Sequence, residues 1–155
     1  SKKWLEMMKK KLGFIGQFNE DTIIIKKLMN WMEENKADYT NTFIQLMNRN
    51  FFNHEIYKKN SFEKLYSLWK KRVDKNGQSF EQSYDIMKKN NPMVIPRNHI
   101  VEDAINTACE KNDLKKFNEL LKLIKSPYTL KKNAEYYQLP LNINNSINYK
   151  TFCGT

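Results

Sequence analysis

Apolar residues recur along this chain at helical spacing. Trp4, Met8 and Leu12 fall at i, i+4 and i+8, and Gly13 supplies a stop. A second helix starts after Asn19, with Glu20 and Asp21 at its electropositive end. Its stripe is Ile24, Leu28 and Trp31, widened by Ile25, Met29 and Met32, and it ends near Asn35. Asp38-Tyr39-Thr40 breaks the pattern and offers caps for a third helix, whose inner side is Phe43, Leu46, Met47 and Phe51. Asn60 and Glu63 stand at capping-box spacing before a helix carrying Phe62, Leu65, Trp69 and Val73. Lys75-Asn76-Gly77 ends that helix. Ser79 and Gln82 repeat the capping signal before Phe80, Tyr84 and Met87.

Two prolines make Asn91-Pro92-Met93-Val94-Ile95-Pro96 an extended connection, because each disfavours helix in the residue before it. A helix then opens near Asn98 with Val101, Ala104, Ile105 and Ala108 inward. Asn112-Asp113 separates it from a helix carrying Leu114, Phe117, Leu120, Leu121 and Ile124, which stops before Ser126-Pro127. From Tyr128 the periodicity fades. Tyr136, Tyr137, Leu139, Pro140, Tyr149 and Phe152 make this stretch too aromatic for a simple disordered end, so an ordered coil lying over another surface is expected. No internal repeat and no alternating strand pattern is visible. The expectation is an all-α fold of about seven helices, divided into a helical domain, 1–127, and a tail, 128–155.

At 155 residues, with 40% hydrophobic and 13% aromatic residues, the chain suits one folded domain of ordinary size. No apolar run approaches the ~20 residues of a membrane span, and no apolar signal stretch follows Ser1-Lys2-Lys3-Trp4. Four glycines leave no Gly-rich phosphate loop of either common type. Two cysteines and two histidines make neither a disulfide framework nor a zinc-finger spacing, so a reducing compartment is the default. The net charge of +10 raises nucleic acid as a partner. The lysines, however, are spread over the whole chain among many asparagines. The only arginines, the side chains that base-reading leans on, are Arg49, Arg72 and Arg97. Solvated faces explain the charge better. A stand-alone basic helical module binding nucleic acid or another polyanion is the alternative reading, and a helical interaction protein a third.

Candidate chemistry is sparse. Glu33-Glu34 and Glu102-Asp103 are adjacent on helices and point apart, so neither pair makes a catalytic dyad. His54 and His99 stand alone. Trp4, Trp31 and Trp69 sit on helical stripes and read as core. Cys109 follows Ala108 on an apolar face and reads as a small buried residue. Cys153, third from the end, is sterically free to be oxidised or to form a disulfide. Asp38 and Asn41 belong to a polar cluster suited to capping. Arg97 and Asn98 follow the double-proline loop and are suited to bracing helix ends.

Several segments, in order, resemble the C-terminal third of the selenoprotein O family. They are Lys11-Leu12-Gly13-Phe14, the helix 22–32, Asp38-Tyr39-Thr40-Asn41-Thr42-Phe43 and Trp69-Lys70-Lys71-Arg72. Asn91-Pro92-Met93-Val94-Ile95-Pro96-Arg97-Asn98, Ala104-Ile105, Leu120-Leu121, Pro127-Tyr128 and Cys153 complete the set. The resemblance implies a protein-kinase-like fold, of which this chain is the helical C-terminal part. It also implies an enzyme that moves AMP from ATP to hydroxyl side chains of other proteins, with ATP and Mg2+ or Mn2+ as cofactors. The family's Gly-rich loop, ATP-positioning lysine and acidic residues, and metal-binding Asn and Asp lie upstream and are not matched here. The chain alone is therefore expected to bind no cofactor and to be inactive. Its implied partners are the N-terminal catalytic region of the same polypeptide and the protein substrates of the whole enzyme, with no membrane. The implied location is cytoplasmic in a bacterium and mitochondrial in a eukaryote. Cys153 occupies the place of the family's terminal selenocysteine or cysteine, which implies a redox disulfide with a cysteine outside this chain. Gly154-Thr155 departs from the usual two serines, and Pro96 replaces an aliphatic residue.

Overall fold

The computed structural model describes residues 2–77, 79–131 and 134–140. Among them are eight α-helices, one 3₁₀ turn and no strand, so the chain is all-α. The helices are α1 (Lys2–Lys11), α2 (Asp21–Glu34), α3 (Tyr39–Met47), α4 (Asn60–Asp74), α5 (Phe80–Asn90), α6 (Asn98–Lys111), α7 (Lys115–Ile124) and α8 (Glu135–Gln138). The 3₁₀ turn, Glu55–Lys58, precedes α4. Two compact units form, one ending at Pro92 and one starting at Met93.

In the first unit α2 packs on α4, and α5 packs on α1, α3 and α4. The expected stripe of α2 is buried through Ile24, Ile25, Leu28, Trp31 and Met32. The α4 stripe Phe62, Leu65, Trp69 and Val73 is buried as well. Trp31 and Phe62 meet with ring centroids 5.0 Å apart. The buried Trp69 indole N–H donates to the Leu12 carbonyl at 2.9 Å, which ties α4 to the end of α1. Gly13 there has φ +68°, and a Cβ on it would lie 2.7 Å from the Ser83 carbonyl oxygen. Only glycine allows the chain leaving α1 to approach α5 so closely.

That approach shifts the face of α5. Ser83, Met87 and the following Asn91 are buried, whereas Phe80 is exposed and Tyr84 half-buried. Of the expected stripe Phe80, Tyr84 and Met87, Met87 is thus kept, while Phe80 and Tyr84 give way to the small Ser83, the residue that fits against Gly13. Trp4 is also exposed, although Met8 and Leu12 on the same face are fully buried; it sits in the first turn of α1, ahead of the part that packs. Phe51 lies beyond the end of α3 and is half-buried. Neither capping box forms. Asn60 is already inside α4 behind an N-cap Lys59, and Ser79 is the N-cap of α5 but makes no side-chain cap hydrogen bond. Glu63 turns instead to Arg49.

The second unit is built on α6 packed against α7. Its core is Val94, Ile100, Ala104, Leu120, Leu123, Ala134 and Tyr137, with Val101 and Ile124 partly buried against it. The inward face of α6 is therefore centred on Ile100 and Ala104. Ile105 lies about 100° further round and is exposed. Cys109 is exposed too, contrary to the core place expected for it. On α7, Leu120 and Leu123 point inward while Phe117, Leu121 and the N-cap residue Leu114 just before the helix are exposed. The connection after Asn91 is extended as expected. The Met93 N–H donates to the Pro127 carbonyl at 2.6 Å, and the Gln138 side-chain amide donates to the Met93 carbonyl at 2.8 Å. Ala134 and Tyr137 share one core with α6 and α7, and α8 gives the expected coil one helical turn. Tyr149 and Phe152 lie outside the described residues.

Candidate functional site

Asp38 is the N-cap of α3, and its carboxylate accepts the Asn41 backbone N–H at 2.8 Å. This is the expected use of an acidic oxygen at orphan helix donors. Thr42 adds a bond from its hydroxyl to the Asp38 carbonyl at 2.7 Å and lies 3.3 Å from the Tyr57 hydroxyl. Asn41 is buried. In the second unit Arg97 is the N-cap residue of α6, and its carbonyl accepts the Ile100 and Val101 N–H groups. Asn98 opens α6 and is exposed. The four residues are thus placed at two helix starts, one pair in each unit. Cys153 lies outside the described residues.

The densest polar centre is one the pattern of the sequence does not single out. Asp21 and Arg72 form a buried ion pair between α2 and α4, with side-chain exposures of 4% and 0%. Arg72 Nε–H donates to Asp21 Oδ1 and Nη2 donates to Asp21 Oδ2 at 3.4 Å. The same guanidinium donates to the Ile15 carbonyl at 3.1 Å and to Asn76 Oδ1 at 2.6 Å. It also lies 4.6 Å from the Phe14 ring centroid and 4.1 Å from that of Phe18. Asp21 additionally has Lys9 Nζ at 3.4 Å and accepts the Phe18 N–H at 3.2 Å.

Asn76 uses its full hydrogen-bonding capacity beside this pair. Its oxygen accepts from Arg72 and from the Ile15 N–H, and its amide donates to the Gly13 carbonyl and the Ser83 hydroxyl. Asn91 repeats the device, donating to the Lys11 and Met87 carbonyls. Lys11 Nζ lies 3.3 Å from Asn91 Oδ1, and burial lowers the Lys11 pKa. Chemically the centre is a clasp. Every functional atom of Arg72 is engaged and closed off from solvent, so it holds α1, α2, α4 and α5 together and offers no open position to a substrate.

A second polar cluster lies in the other unit. Asp103 accepts from Lys116 Nζ at 2.7 Å and from the Tyr136 hydroxyl at 2.5 Å, and these two hydrogen bonds hold its carboxyl below the ordinary carboxylate range. Burial first, and the bond to Asp103 second, push Tyr136 up to about 12. Burial and a 2.9 Å bond to Glu119 raise Tyr137 as well. At neutral pH Asp103 therefore stays charged and Tyr136 stays protonated. Neither group is poised to exchange a proton with a substrate. No three His, Cys, Asp or Glu side chains come together as a metal donor set among the described residues. No helix among them is long and apolar enough to cross a membrane.

Comparison with known proteins supplies what the geometry does not. The family described as Protein adenylyltransferase SelO matches residues 1–125. A Protein nucleotidyltransferase YdiU of Pelagibacter ubique is 45% identical over 153 residues, which cover 99% of this chain and 31% of the relative. Relatives of the same description from Bacillus cereus and Bacillus anthracis are 40% and 38% identical, again over 99% of this chain and 31% of their own length. The chain thus spans a little under a third of the curated relatives it matches.

Proposed function

The chain belongs to the family of protein adenylyltransferase SelO, and from that premise we propose that it is the C-terminal, non-catalytic helical segment of a larger protein adenylyltransferase. The observation that carries the segment reading is the match itself, which runs over nearly all of this chain and only 31% of the relative; the C-terminal place rests on the resemblance of the ordered segments from Lys11 to Cys153. The whole protein would move AMP from ATP onto hydroxyl side chains of other proteins, with Mg2+ or Mn2+ as the metal. The described residues do not fit either group, since they offer neither a donor set nor a glycine loop, and no step of the transfer is assigned to them. This segment would complete the helical lobe of a kinase-like fold. Its clasped first unit suits that task, because a lobe that carries a reaction centre elsewhere needs rigid elements beneath it. Cys153 would serve as a redox residue. Its thiol and that of a cysteine outside this chain would give two protons and two electrons to a disulfide oxidant and form one S–S bond.

The test is nucleotide transfer from labelled ATP. The Pelagibacter relative is compared with a chimera in which the matching 31% is exchanged for this chain, and with this chain alone. The chimera is expected to label protein and the chain alone to label nothing. Labelling by the isolated chain, or a folded chimera without activity, would overturn the proposal.

A further inference from the structure

Helix α7 is apolar around half its circumference, and its own unit covers only half of that arc. Leu120 and Leu123 are buried and Ile124 is partly so. Leu114, Phe117 and Leu121, at i, i+3 and i+7, form an adjoining stripe that is 55%, 42% and 37% exposed. A stripe at this spacing is the form in which a helix enters an apolar groove. Lys115, Lys122 and Lys125 flank it and make no ion pair among the described residues, whereas Lys116 on the far side is held by Asp103. A shallow cleft of about 430 Å³ runs along this flank, lined by those three lysines with Asn118, Glu119 and Leu121.

We propose that the Leu114–Phe117–Leu121 face of α7 docks into an apolar groove with an acidic rim, supplied by the part of a family-length polypeptide that this chain does not contain. The inference rests on the reading of the chain as a segment. More than two-thirds of the length of each relative cited lies outside the match, which is ample chain to provide such a groove. The exposed stripe is continuous round the helix with the core of its own unit, so docking there would extend an existing core. The flanking lysines set the sign of the rim, because like charges against them would be repelled and acidic groups held.

The experiment places Leu114→Ser, Phe117→Ser and Leu121→Ser together in two contexts, the isolated chain and the chimera with the Pelagibacter relative. In the isolated chain these side chains are already about half-exposed, so helical circular dichroism should be kept and the melting temperature should fall by no more than about 2–4 °C. In the chimera they should be covered. The triple variant should then lose about 5 °C or more in melting temperature and gain binding of a hydrophobic dye. Equal tolerance in both contexts, with a folded and active parent chimera, overturns the docking face alone. A parent chimera that does not fold overturns the segment reading and this inference with it. A dimer of the isolated chain, seen by sedimentation and abolished by the triple substitution, gives the face to a second copy and also overturns the proposal.

Discussion

Removing one partner of the Asp21–Arg72 pair should unfold the first unit far more easily than any surface change. Both side chains are almost fully buried, and a buried charge left without its partner costs about 3–5 kcal/mol. The contacts each stranded partner keeps set the expected value at or just below the low end of that range. With Arg72→Met, Asp21 keeps Lys9 at 3.4 Å and the Phe18 N–H at 3.2 Å, so the loss should lie near the lower end, about 3 kcal/mol. With Asp21→Asn, Arg72 keeps the Ile15 carbonyl, Asn76 and two aromatic faces, and the loss should be about 2–3 kcal/mol. Arg72→Lys should not rescue, because one ammonium cannot reach Asp21, Ile15 and Asn76 together.

All three tryptophans, Trp4, Trp31 and Trp69, lie in the first unit, so tryptophan fluorescence during urea unfolding reads this unit directly. At a slope of about 1.5 kcal/mol per molar urea, a loss of about 3 kcal/mol moves the midpoint down by about 2 M. The double variant should lose less than the sum of the singles by at least ~1 kcal/mol, since each single strands the opposite partner and the double strands neither. Single losses below ~1 kcal/mol, or strictly additive losses, would refute the clasp. An Arg72→Lys variant as stable as the parent would refute its dependence on the guanidinium fork.

Three further outcomes follow from the geometry. Gly13→Ala should cost about 3 kcal/mol or more, because it adds a Cβ against the Ser83 carbonyl to the strain of a positive φ; Gly77→Ala, at φ +66° with open space around it, should cost about 1 kcal/mol. Urea midpoints of the two variants check the difference. Asp38→Ala should lose about 1 kcal/mol with the α3 cap, whereas Asn60→Ala and Ser79→Ala should stay within about 0.5 kcal/mol, as neither side chain caps its helix. The difference in absorbance at 295 nm between the parent and Tyr136→Phe should show Tyr136 ionising near pH 12, against an ordinary value of 10.0. Its contribution to stability is then full below pH 10 and lost between there and about 12. Asp103→Asn should bring the transition partway down, since burial, the larger cause, remains. At the other end, the contribution of Asp103 is present above its unfolded value of 3.8 and lost as the pH falls through its lower folded value.

The helices are legible in the sequence because their stripes are long. The apolar positions of α2 and α4 can be read directly, and both are buried as the period requires. What the period does not fix is rotation about the helix axis. On α5 the largest residues, Phe80 and Tyr84, suggest the inward face, but Gly13 admits only the small Ser83 there. On α6, Ile105 and Ala104 are adjacent in sequence, and periodicity alone does not say which faces the core. On α7 the apolar arc is wider than the surface its own unit provides, so the period over-assigns burial to Leu114, Phe117 and Leu121. Capping at Asp38 is visible because an acidic residue and a cluster of polar side chains break the period directly before the apolar positions of α3. At Asn60 the spacing is right but the helix begins one residue earlier, inside the motif. The Asp21–Arg72 pair spans 51 positions, and nothing in a local pattern joins residues that far apart.

One signal does point to it. Among 27 basic residues only three are arginine. In a chain where lysine serves the solvated faces, arginine stands out where a point charge is not enough. Arg49 bonds Glu63 while lying 5.1 Å from the Tyr66 ring centroid, and Arg72 engages three different acceptor residues and two rings at once. The same reasoning separates the asparagines. Most lie in a background of lysine and asparagine that reads as surface, but Asn76 closes α4 beside Gly77 and makes four hydrogen bonds, and Asn91 precedes a proline and fastens the end of α1 to α5. Both stand where a helix has just ended and backbone groups are left without helical partners. In this compositionally biased chain the structural asparagines Asn76 and Asn91 are therefore found at helix ends, and the basic residue at the buried centre is an arginine, with Lys9 drawn in beside its partner Asp21 and Lys11 beside Asn91.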